Sequence, residues 1–320
     1  MFLYSLGAVA VSLGLWGLFA DADLNTLFAH LFFRRRWEKY RGRVVWITGA
    51  SSGIGEQLAY LFARLDCKLV ISGTRLEELK KVRNRCETIS QRCDVLIVEG
   101  NIADSQKHAE WLQTVLERFG TVDILVNNAG RSQRCEFTKI PREIEMELFD
   151  INVFGMISLT REVLKYWTAH GKQDNAILVT SSMAGKTGAP LSASYTASKH
   201  ALHGFFESLR SELLVWRKTD VQITLACPGP VRSNIRVNAF TEKVGDRYNL
   251  LDKDDSKLLD TARCARLMLS GLACGLDELW ITKQPLLLLM YAAQYMPSVY
   301  RRWILPWVMT EKNIKMRDGK

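Results

Sequence analysis

Residues 44–65 read VVWITGASSGIGEQLAYLFARL, a short apolar run that leads directly into three glycines and then into a helical pattern. Glycines at such a turn permit a tight bend, let backbone N–H groups approach a pyrophosphate, and let the helix pack closely on the strand. The spacing is G-x-x-x-G-x-G rather than the more general G-x-G-x-x-G. Its position between a strand and a helix predicts a dinucleotide-binding turn.

The alternation of short apolar runs with longer helical stretches continues along the chain. The runs that we interpret as strands are 44–48, 68–72, 95–99, 124–127, 176–180, 222–226 and 279–282. Such runs, separated by helices, indicate a parallel sheet that is buried on both faces. We therefore predict an α/β fold, with a doubly wound, Rossmann-like parallel sheet in a single domain over residues 43–283. Its ligand crevice is expected at the carboxyl ends of the strands.

The end of the second predicted strand indicates which dinucleotide binds. In many such folds an acidic residue about 20 residues after the glycine turn binds the ribose diol of NAD. Here the strand ends in Ser72-Gly73-Thr74-Arg75, and the first acid is Glu77. Arg75 can instead pair with the 2′-phosphate that NADP carries, although a solvated arginine at a helix start is the simpler alternative. We expect NADP(H), more because the acid is missing than because the arginine is present.

The strongest chemical signal is the segment Tyr195-Thr196-Ala197-Ser198-Lys199, with Ser182 thirteen residues before the tyrosine. Tyr195 and Lys199 are four residues apart and therefore share one face of a helix. A neighbouring ammonium lowers the pKa of a phenol toward neutrality, where tyrosine becomes a workable acid–base group. Ser182, at the end of the fifth predicted strand, can hold a substrate carbonyl and stabilise the charge that develops on its oxygen.

Residues 43 to about 283 resemble the short-chain dehydrogenase/reductase family. The matching motifs are TGASSGIG (48–55), NNAG (127–130), Asn152 in DINVFG, SSMAG (181–185), YTASK (195–199) and PGPV (228–231). The resemblance implies that Ser182, Tyr195 and Lys199 are the catalytic triad. It further implies that Asn152 holds a water that relays protons through Lys199. Tyr195 would protonate a carbonyl oxygen while NADPH delivers hydride to the carbon.

The same resemblance assigns the residues that would bind the cofactor. They are Gly49, Ser51, Ser52, Gly53, Ile54, Gly55, Arg75, Asn101, Ile102, Asn128, Tyr195, Lys199, Pro228, Gly229, Val231 and Ser233. Asn101 stands where the family usually has Asp near the adenine ring. Ser233 stands where a Thr commonly contacts the carboxamide. Both side chains retain the hydrogen-bonding groups that these contacts need.

The ends of the chain carry membrane signals. Residues 2–20 contain no charged side chain, and as a helix they would span roughly 28 Å, close to the thickness of a bilayer core. We interpret residues 1–22 as an uncleaved membrane anchor. The alternatives are a buried helix and a cleaved signal peptide, although no basic residue precedes the run as in a typical signal. Residues 23–42 are a basic juxtamembrane segment, which weakly favours a cytosolic domain.

The C-terminal residues 284–320 are hydrophobic and basic. They fit an interfacial segment, a substrate lid, or a helix packed on the domain or on a second copy. The N-terminal anchor and the stretches CPGPVRSNI (227–235) and LWITKQPLLLL (279–289) narrow the resemblance to members of the family in the endoplasmic-reticulum membrane. This implies NADPH-dependent reduction of lipophilic ketones and aldehydes, such as steroids, retinoids or other lipids.

The formal charge of +9 over 320 residues raises the question of nucleic-acid binding. Residues 34–43 carry +5 and residues 297–320 carry +4, whereas residues 1–33 carry −2. Residues 44–296 therefore keep only +2. Because the basic charge lies at the ends, we expect no nucleic-acid partner for the catalytic domain.

We expect no metal site. The seven cysteines include no C-x-x-C pair, and His200 and His203 share a helical face without a third ligand nearby in the sequence. Residues 234–260, where family members carry a substrate lid, predict a mobile polar loop. Its candidate contacts to a lipophilic substrate are Phe240, Tyr248 and Leu250.

The sequence is also compatible with two other functions and with a homodimer. One alternative is an NAD-dependent alcohol dehydrogenase that works in the oxidative direction. The other is a catalytically silent nucleotide-binding scaffold at the membrane, although no catalytic motif is broken. The resemblance also implies a homodimer through the helix after YTASK and the helix over residues 152–167.

Overall fold

In a computed structural model of the chain, residues 14, 17, 19–217, 220–249 and 258–310 are described. Seven strands form one parallel sheet in the order β3-β2-β1-β4-β5-β6-β7. They are β1 (Val44–Thr48), β2 (Lys68–Gly73), β3 (Val95–Glu99), β4 (Ile124–Asn127), β5 (Ala176–Thr180), β6 (Gln222–Pro228) and β7 (Glu278–Ile281). The predicted seven-stranded, Rossmann-like parallel sheet is confirmed.

Helices between the strands cover both faces of the sheet, and further helices precede β1 and follow β7. They are α1 (Leu24–Phe32), α2 (Gly53–Ala63), α3 (Leu76–Ile89), α4 (His108–Phe119), α5 (Arg142–Phe149), α6 (Gly155–Ala169), α7 (Ala193–Glu212), α8 (Thr261–Ala273), α9 (Leu286–Tyr295), α10 (Pro297–Val299) and α11 (Leu305–Val308). Short 3₁₀ segments occur at Arg34–Tyr40, Ser105–Lys107, Phe137–Lys139 and Met183–Gly185. π-helical turns occur at Asp150–Phe154, Leu213–Arg217 and Tyr300–Ile304.

The sheet is buried on both faces, which explains the unbroken apolar sequence of its strands. All five residues of β1 are buried, and the Trp46 indole satisfies its N–H by donating to Ser72 Oγ at 2.8 Å. Helices α2, α3 and α8 pack on one face, and α4 to α7 pack on the other. Because helices cover both faces, a ligand can reach the sheet only at the ends of its strands.

The open crevice lies where the strand order reverses. β2 and β3 follow β1 on one side, while β4 to β7 are added on its other side. The connections that leave β1 and β4 therefore diverge and expose the carboxyl ends of both strands, as at the switch point of other open α/β sheets. The glycine turn after β1 and the segment after β4 border this crevice.

The segment before β1 packs on the edge of the domain. Asp23 accepts hydrogen bonds from the backbone N–H of Thr26 at 2.9 Å and of Trp280 at 2.7 Å, so it caps α1 and joins it to β7. Arg263 of α8 makes a two-pronged ion pair with Asp21, at 2.8 and 3.1 Å. These contacts begin well before residue 43, where the catalytic domain is predicted to start.

The C-terminal segment packs on the same edge strand. The rings of Trp280 on β7 and Tyr291 on α9 lie 4.8 Å apart, and Gln294 donates a hydrogen bond to the backbone carbonyl of Lys186 at 2.6 Å. The N- and C-terminal segments of the described chain therefore meet at β7.

Within the ranges that the structure describes, no helix combines the length and the apolar character needed to cross a membrane. Most of the predicted anchor over residues 1–22 lies outside those ranges. The anchor therefore stays a prediction.

Candidate active site

The glycine turn after β1 forms a tight cradle. Gly49 has a φ of +65°, and a Cβ on it would lie 2.7 Å from the Cα of Ala129. A Cβ on Gly55 would lie 2.5 Å from the Gly49 carbonyl oxygen and 2.6 Å from Asn128 Nδ2. Side chains at these positions would push β1, α2 and the segment after β4 apart. The α2 N-terminus at this turn offers the unpaired N–H groups and positive dipole end that suit a pyrophosphate.

Asn128 and Thr48 tie this cradle to the neighbouring strands. Asn128 Nδ2 donates to the carbonyl oxygens of Thr48 and Gly49 at 3.1 and 3.2 Å. Its Oδ1 accepts from Thr180 Oγ1 at 3.1 Å, while Thr48 Oγ1 accepts from the Asn128 backbone N–H at 3.0 Å. Asn128 thus joins the ends of β1, β4 and β5 from behind the cradle.

Arg75 lies against the glycine turn. Its guanidinium donates to Ser51 Oγ at 3.0 Å and to Ser52 Oγ at 2.7 Å. This arrangement gathers one fixed positive charge and two hydroxyls, with no carboxylate between Ser72 and Leu76. Such a group can bind an anion.

The other predicted cofactor residues also lie near the crevice or help to shape it. Asn101 Oδ1 accepts the backbone N–H of Ala103 at 3.2 Å. A Cβ on Gly53 would lie 3.2 Å from the Ser233 Cβ, so Ser233 approaches the glycine turn directly. A Cβ on Gly229 would lie only 2.2 Å from Thr282 Oγ1, which makes glycine necessary after β6. Ile102, Pro228 and Val231 are buried, whereas Ile54 is half-buried.

Lys199 is the most deeply placed charged group of the candidate site. Its side chain is buried, and Nζ donates to the Thr180 carbonyl oxygen at 2.9 Å. Nζ lies 5.9 Å from the centre of the Tyr195 ring, as expected for two residues one turn apart on α7. Burial lowers the pKa of Lys199 to about 8, while Cys227 acts in the opposite direction. The ammonium is still the main form at neutral pH.

Ser182 is held at the start of the turn after β5. It has an extended backbone, and its Oγ accepts the Ala184 backbone N–H at 3.1 Å. The same hydroxyl lies 3.4 Å from the Pro228 carbonyl oxygen, to which it donates. The serine is therefore fixed by both its own turn and the end of β6.

Asn152 lies in a π-helical turn between α5 and α6, a local irregularity that is frequent at functional sites. Its Nδ2 donates to the Arg131 carbonyl oxygen at 2.9 Å and to Ser198 Oγ at 3.0 Å, and its Oδ1 accepts the Arg131 N–H at 2.8 Å. A Cβ on Gly130 would lie 3.2 Å from Asn152 Oδ1 and 3.6 Å from Lys199 Nζ. Gly130 therefore leaves space in which Asn152 and Lys199 can approach each other.

The sequence did not reveal the role of Gln133. Its buried side chain accepts the backbone N–H groups of Ser194 at 3.0 Å and of Tyr195 at 3.3 Å through Oε1. Gln133 thus satisfies two donors in the first turn of α7, the helix that carries the tyrosine. No local pattern could have found it, because the contact joins positions about 60 residues apart.

Phe240, one of the three predicted substrate contacts, is buried in the structure, and its contact with a substrate stays a prediction. Phe240 is only 3% exposed and packs in the core, where the Arg131 guanidinium lies 4.4 Å from its ring centre. Its backbone bonds to Ser132 and Arg134 and so holds the segment after β4. Tyr248 is half-buried, and Leu250 lies outside the described residues.

His203, rather than His200, lies in a cluster of possible metal ligands. In the described part of the chain, ligand atoms of His203, Cys227 and Glu278 lie within 4.8 Å of one another. Both groups that accompany His203 come from strands distant in the sequence, Cys227 from β6 and Glu278 from β7. The His200 ring instead faces its own helix, where Nδ1 lies 2.9 Å from the Thr196 carbonyl oxygen.

We expect Lys199→Met to raise the free energy of unfolding at neutral pH, because burial destabilises the ammonium of the wild type. The folded-state pKa of about 8 lies below the value near ~10.4 of an unfolded lysine. Between these values the unfolded chain binds more protons, so wild-type stability rises with pH. The advantage of the variant should therefore shrink from about pH 8 to pH 10 in urea unfolding.

The matched control is Lys165→Met, at an exposed lysine on α6. Its effect on the unfolding free energy should be small and nearly constant over the same pH range. A Lys199→Met advantage that stayed constant or grew with pH would contradict the proposed effect of burial.

Comparisons with known proteins agree with this geometry. The family model "short chain dehydrogenase" matches residues 43–244. Human dehydrogenase/reductase SDR family member 7 is 39% identical over 301 residues, which cover 93% of this chain and 85% of that protein. The mouse protein of the same name is 41% identical over 290 residues, covering 89% and 83% of the two chains.

A solved structure shows the same fold. A short chain dehydrogenase/reductase from Burkholderia phymatum, in complex with NAD, has a TM-score of 0.70 at 24% identity and covers 82% of this chain and 96% of its own. The chain thus has a nicotinamide-dinucleotide-binding fold and is an oxidoreductase related to dehydrogenase/reductase SDR family member 7. It belongs to the short-chain dehydrogenase/reductase family.

Proposed function

We propose that the protein is a membrane-attached, NADPH-dependent reductase of lipophilic ketones and aldehydes, of the steroid, retinoid or lipid type. The observation that carries the proposal is the position of the buried Lys199 ammonium, which lies beside the Tyr195 ring, bonds the end of β5 two residues before Ser182, and lies with Asn152 against Gly130. Sequence identity of about 40% to the human and mouse relatives supports this class of enzyme.

The cradle fits a dinucleotide because a Cβ on Gly49 or Gly55 would fill it. When bound there, NADPH supplies the hydride. Arg75, with the two serine hydroxyls that it contacts, would hold the 2′-phosphate. Asn128 holds the shape of the cradle through bonds to the Gly49 and Thr48 carbonyls.

The side chains divide the chemistry of carbonyl reduction among them. Tyr195 donates the proton that neutralises the substrate oxygen. The nearby Lys199 ammonium favours the tyrosinate that remains, which lowers the cost of this transfer. Ser182 donates a hydrogen bond to the same oxygen and stabilises the charge that develops on it. Asn152 orders the path along which Lys199 recovers a proton from solvent.

Replacing Tyr195 by Phe should abolish turnover of lipophilic carbonyls, with a decrease in kcat of at least about 10³-fold, because general-acid catalysis is lost. Dinucleotide affinity should change little. The measurement is NADPH oxidation by the detergent-solubilised full chain against a panel of steroid, retinoid and aliphatic carbonyls.

Tyr166→Phe serves as the control, because Tyr166 lies on α6 and donates only to the Gly120 carbonyl oxygen. It should retain wild-type turnover. Equal activity of Tyr195→Phe and wild type would refute the mechanism. A wild type that binds the dinucleotide but turns over no carbonyl or alcohol would favour the silent scaffold.

Arg75→Glu should weaken NADPH binding by about tenfold or more and leave NADH binding unchanged or improved. The reason is that the variant places a carboxylate where the 2′-phosphate would bind. Dissociation constants for the two dinucleotides, from quenching of protein fluorescence, provide the measurement. Arg85→Glu makes the same charge change at an exposed position on α3 and should alter neither constant. A wild type that prefers NADH would instead support the NAD-dependent alcohol dehydrogenase.

Membrane attachment, which we place at the endoplasmic reticulum, is supported by apolar surface near both ends of the described chain. On α1 the exposed large apolar side chains are Leu24, Phe28, Leu31 and Phe32. Near the C-terminus Trp303 and Trp307 are 75% and 81% exposed, beside Arg301 and Arg302. Aromatic and basic side chains together suit the interface between lipid headgroups and acyl chains.

The full chain should stay with microsomal membranes after carbonate extraction, and protease added to sealed microsomes should digest its catalytic domain. Val11→Arg, in the middle of the uncharged run, should weaken retention because a charge at the bilayer centre costs about 3 kcal/mol. The control is Phe137→Arg, which adds the same charge at an exposed position and should leave membrane retention unchanged. Release of the wild type by carbonate would refute the anchor, and a fully protected domain would refute the cytosolic orientation.

A further inference from the structure

His203 joins three strands at one point beneath the candidate active site. It is buried on α7, and its Nε2 lies 3.0 Å from Ser181 Oγ and 3.5 Å from Cys227 Sγ. Its other nitrogen, Nδ1, lies 3.4 Å from Glu278 Oε2. One imidazole therefore contacts the end of β5, the end of β6 and the start of the edge strand β7.

Glu278 is a firmly held anion. Its Oε2 accepts from Lys186 Nζ at 2.7 Å, and its Oε1 accepts from the Trp280 indole N–H. Burial alone raises the pKa of Glu278, but interactions with His203, Lys186 and Trp280 outweigh it and lower the pKa to about 2. A carboxylate beside Nδ1 favours the imidazole tautomer that carries its proton on that nitrogen.

This tautomer makes Nε2 an acceptor. In this tautomer the Ser181 hydroxyl, which also lies 3.4 Å from the Lys199 carbonyl oxygen, donates to Nε2, and the Cys227 thiol faces the same nitrogen. Burial raises the pKa of Cys227 well above its ordinary value, so the sulfur stays a neutral thiol and a donor. Ser181 and Cys227 then lie on the Nε2 side of the ring, whereas Nδ1 lies 3.4 Å from Glu278 Oε2, an ion-pair contact without hydrogen-bond geometry.

The hydrogen bonds of His203 bear directly on Ser182. Ser182 follows Ser181 and starts a turn that ends at Gly185. A Cβ on Gly185 would lie 2.7 Å from Ser181 Oγ and 3.0 Å from His203 Cδ2, so this turn rests on the imidazole. The Pro228 carbonyl, which accepts from Ser182 Oγ, comes directly after the β6 cysteine that faces the same ring.

We propose that His203 is a positioning residue, which fixes Ser182 relative to Lys199 by linking the ends of β5 and β6 to α7 and to the carboxylate of Glu278. The proposal rests on the reductase function proposed above. His203 does not contact the substrate. It holds the hydroxyl that does so at the distance from the reacting oxygen that catalysis needs, where an error of about 1 Å can cost about 10² in rate.

A metal ion is the competing explanation for the same side chains. Such an ion would take one ring nitrogen of His203, the sulfur of Cys227 and an oxygen of Glu278. In the structure Ser181 lies against Nε2, while Lys186 and Trp280 contact the two carboxylate oxygens. Because Nδ1 has no hydrogen-bond partner among the described residues, the zinc measurement below decides between the two arrangements.

Two substitutions of His203 separate its two links. In His203→Gln, the amide oxygen can still accept from Ser181, whereas in His203→Asn the shorter amide can reach only toward Glu278. We expect kcat to fall about tenfold to 10²-fold in His203→Asn and less in His203→Gln. The affinity for NADPH and the KM for the carbonyl should stay within about twofold of wild type.

Ser181→Ala removes the hydroxyl with little change of volume and keeps the test valid if the His203 variants do not fold. It should lower kcat in the same way. The matched control is His200→Asn, on the same helix but with its ring turned to its own backbone, and it should retain wild-type kcat. Wild-type kcat in a folded His203→Asn or Ser181→Ala variant would overturn the proposal.

A spectroscopic measurement tests the proposal independently of enzyme activity. ¹⁵N NMR of histidine-labelled protein, with His203→Asn to assign the signal, should show a neutral ring with its proton on Nδ1. A proton on Nε2 would overturn the proposal. The zinc content of the purified protein should also be measured. One Zn²⁺ per molecule in the wild type and none in Cys227→Ser would overturn the proposal in favour of a metal centre. If the protein reduces no carbonyl but His203 carries its proton on Nδ1, the result contradicts the proposed reductase function and not the hydrogen-bond arrangement of His203.

Discussion

The structure of the candidate site depends on the burial of one ammonium group. Lys199 is buried, and its Nζ donates a hydrogen bond to the Thr180 carbonyl oxygen at the end of β5. Burial disfavours the charged form, and the lowered pKa of about 8 reflects that cost. The hydrogen bond to the Thr180 carbonyl oxygen offsets part of that cost. Gly130, with no side chain, allows Asn152 Oδ1 to approach the same region.

The same constraint explains why so many contacts converge on the carboxyl ends of the strands. Parallel strands all end at one edge, so Thr48, Asn128, Thr180 and Ser182 come together although they are far apart in the chain. A site that holds a desolvated charge next to an acid–base group needs a rigid surround, because small displacements change both electrostatics and geometry. Hydrogen bonds across β1, β4, β5 and β6 provide that rigidity. On our proposal His203 extends it to β7.

Local sequence was sufficient for the features whose physics is local. The glycine turn, the strand runs and the four-residue spacing of Tyr195 and Lys199 follow from backbone freedom, hydrophobic pattern and helix geometry. The seven-stranded parallel sheet was therefore predictable, with errors of only one or two residues at strand ends. Arg75 was singled out by the absence of an acid, and the structure adds its contacts with Ser51 and Ser52.

Contacts between distant segments were not predictable in this way. Gln133 reaches the first turn of α7, and Phe240 packs in the core against the Arg131 guanidinium. The sequence by itself determined the fold class and singled out the glycine turn and the pair Tyr195 and Lys199. Only the tertiary structure decided which residues support that pair and that His203 meets Cys227 and Glu278, because such meetings depend on strand order and packing, which no local spacing encodes.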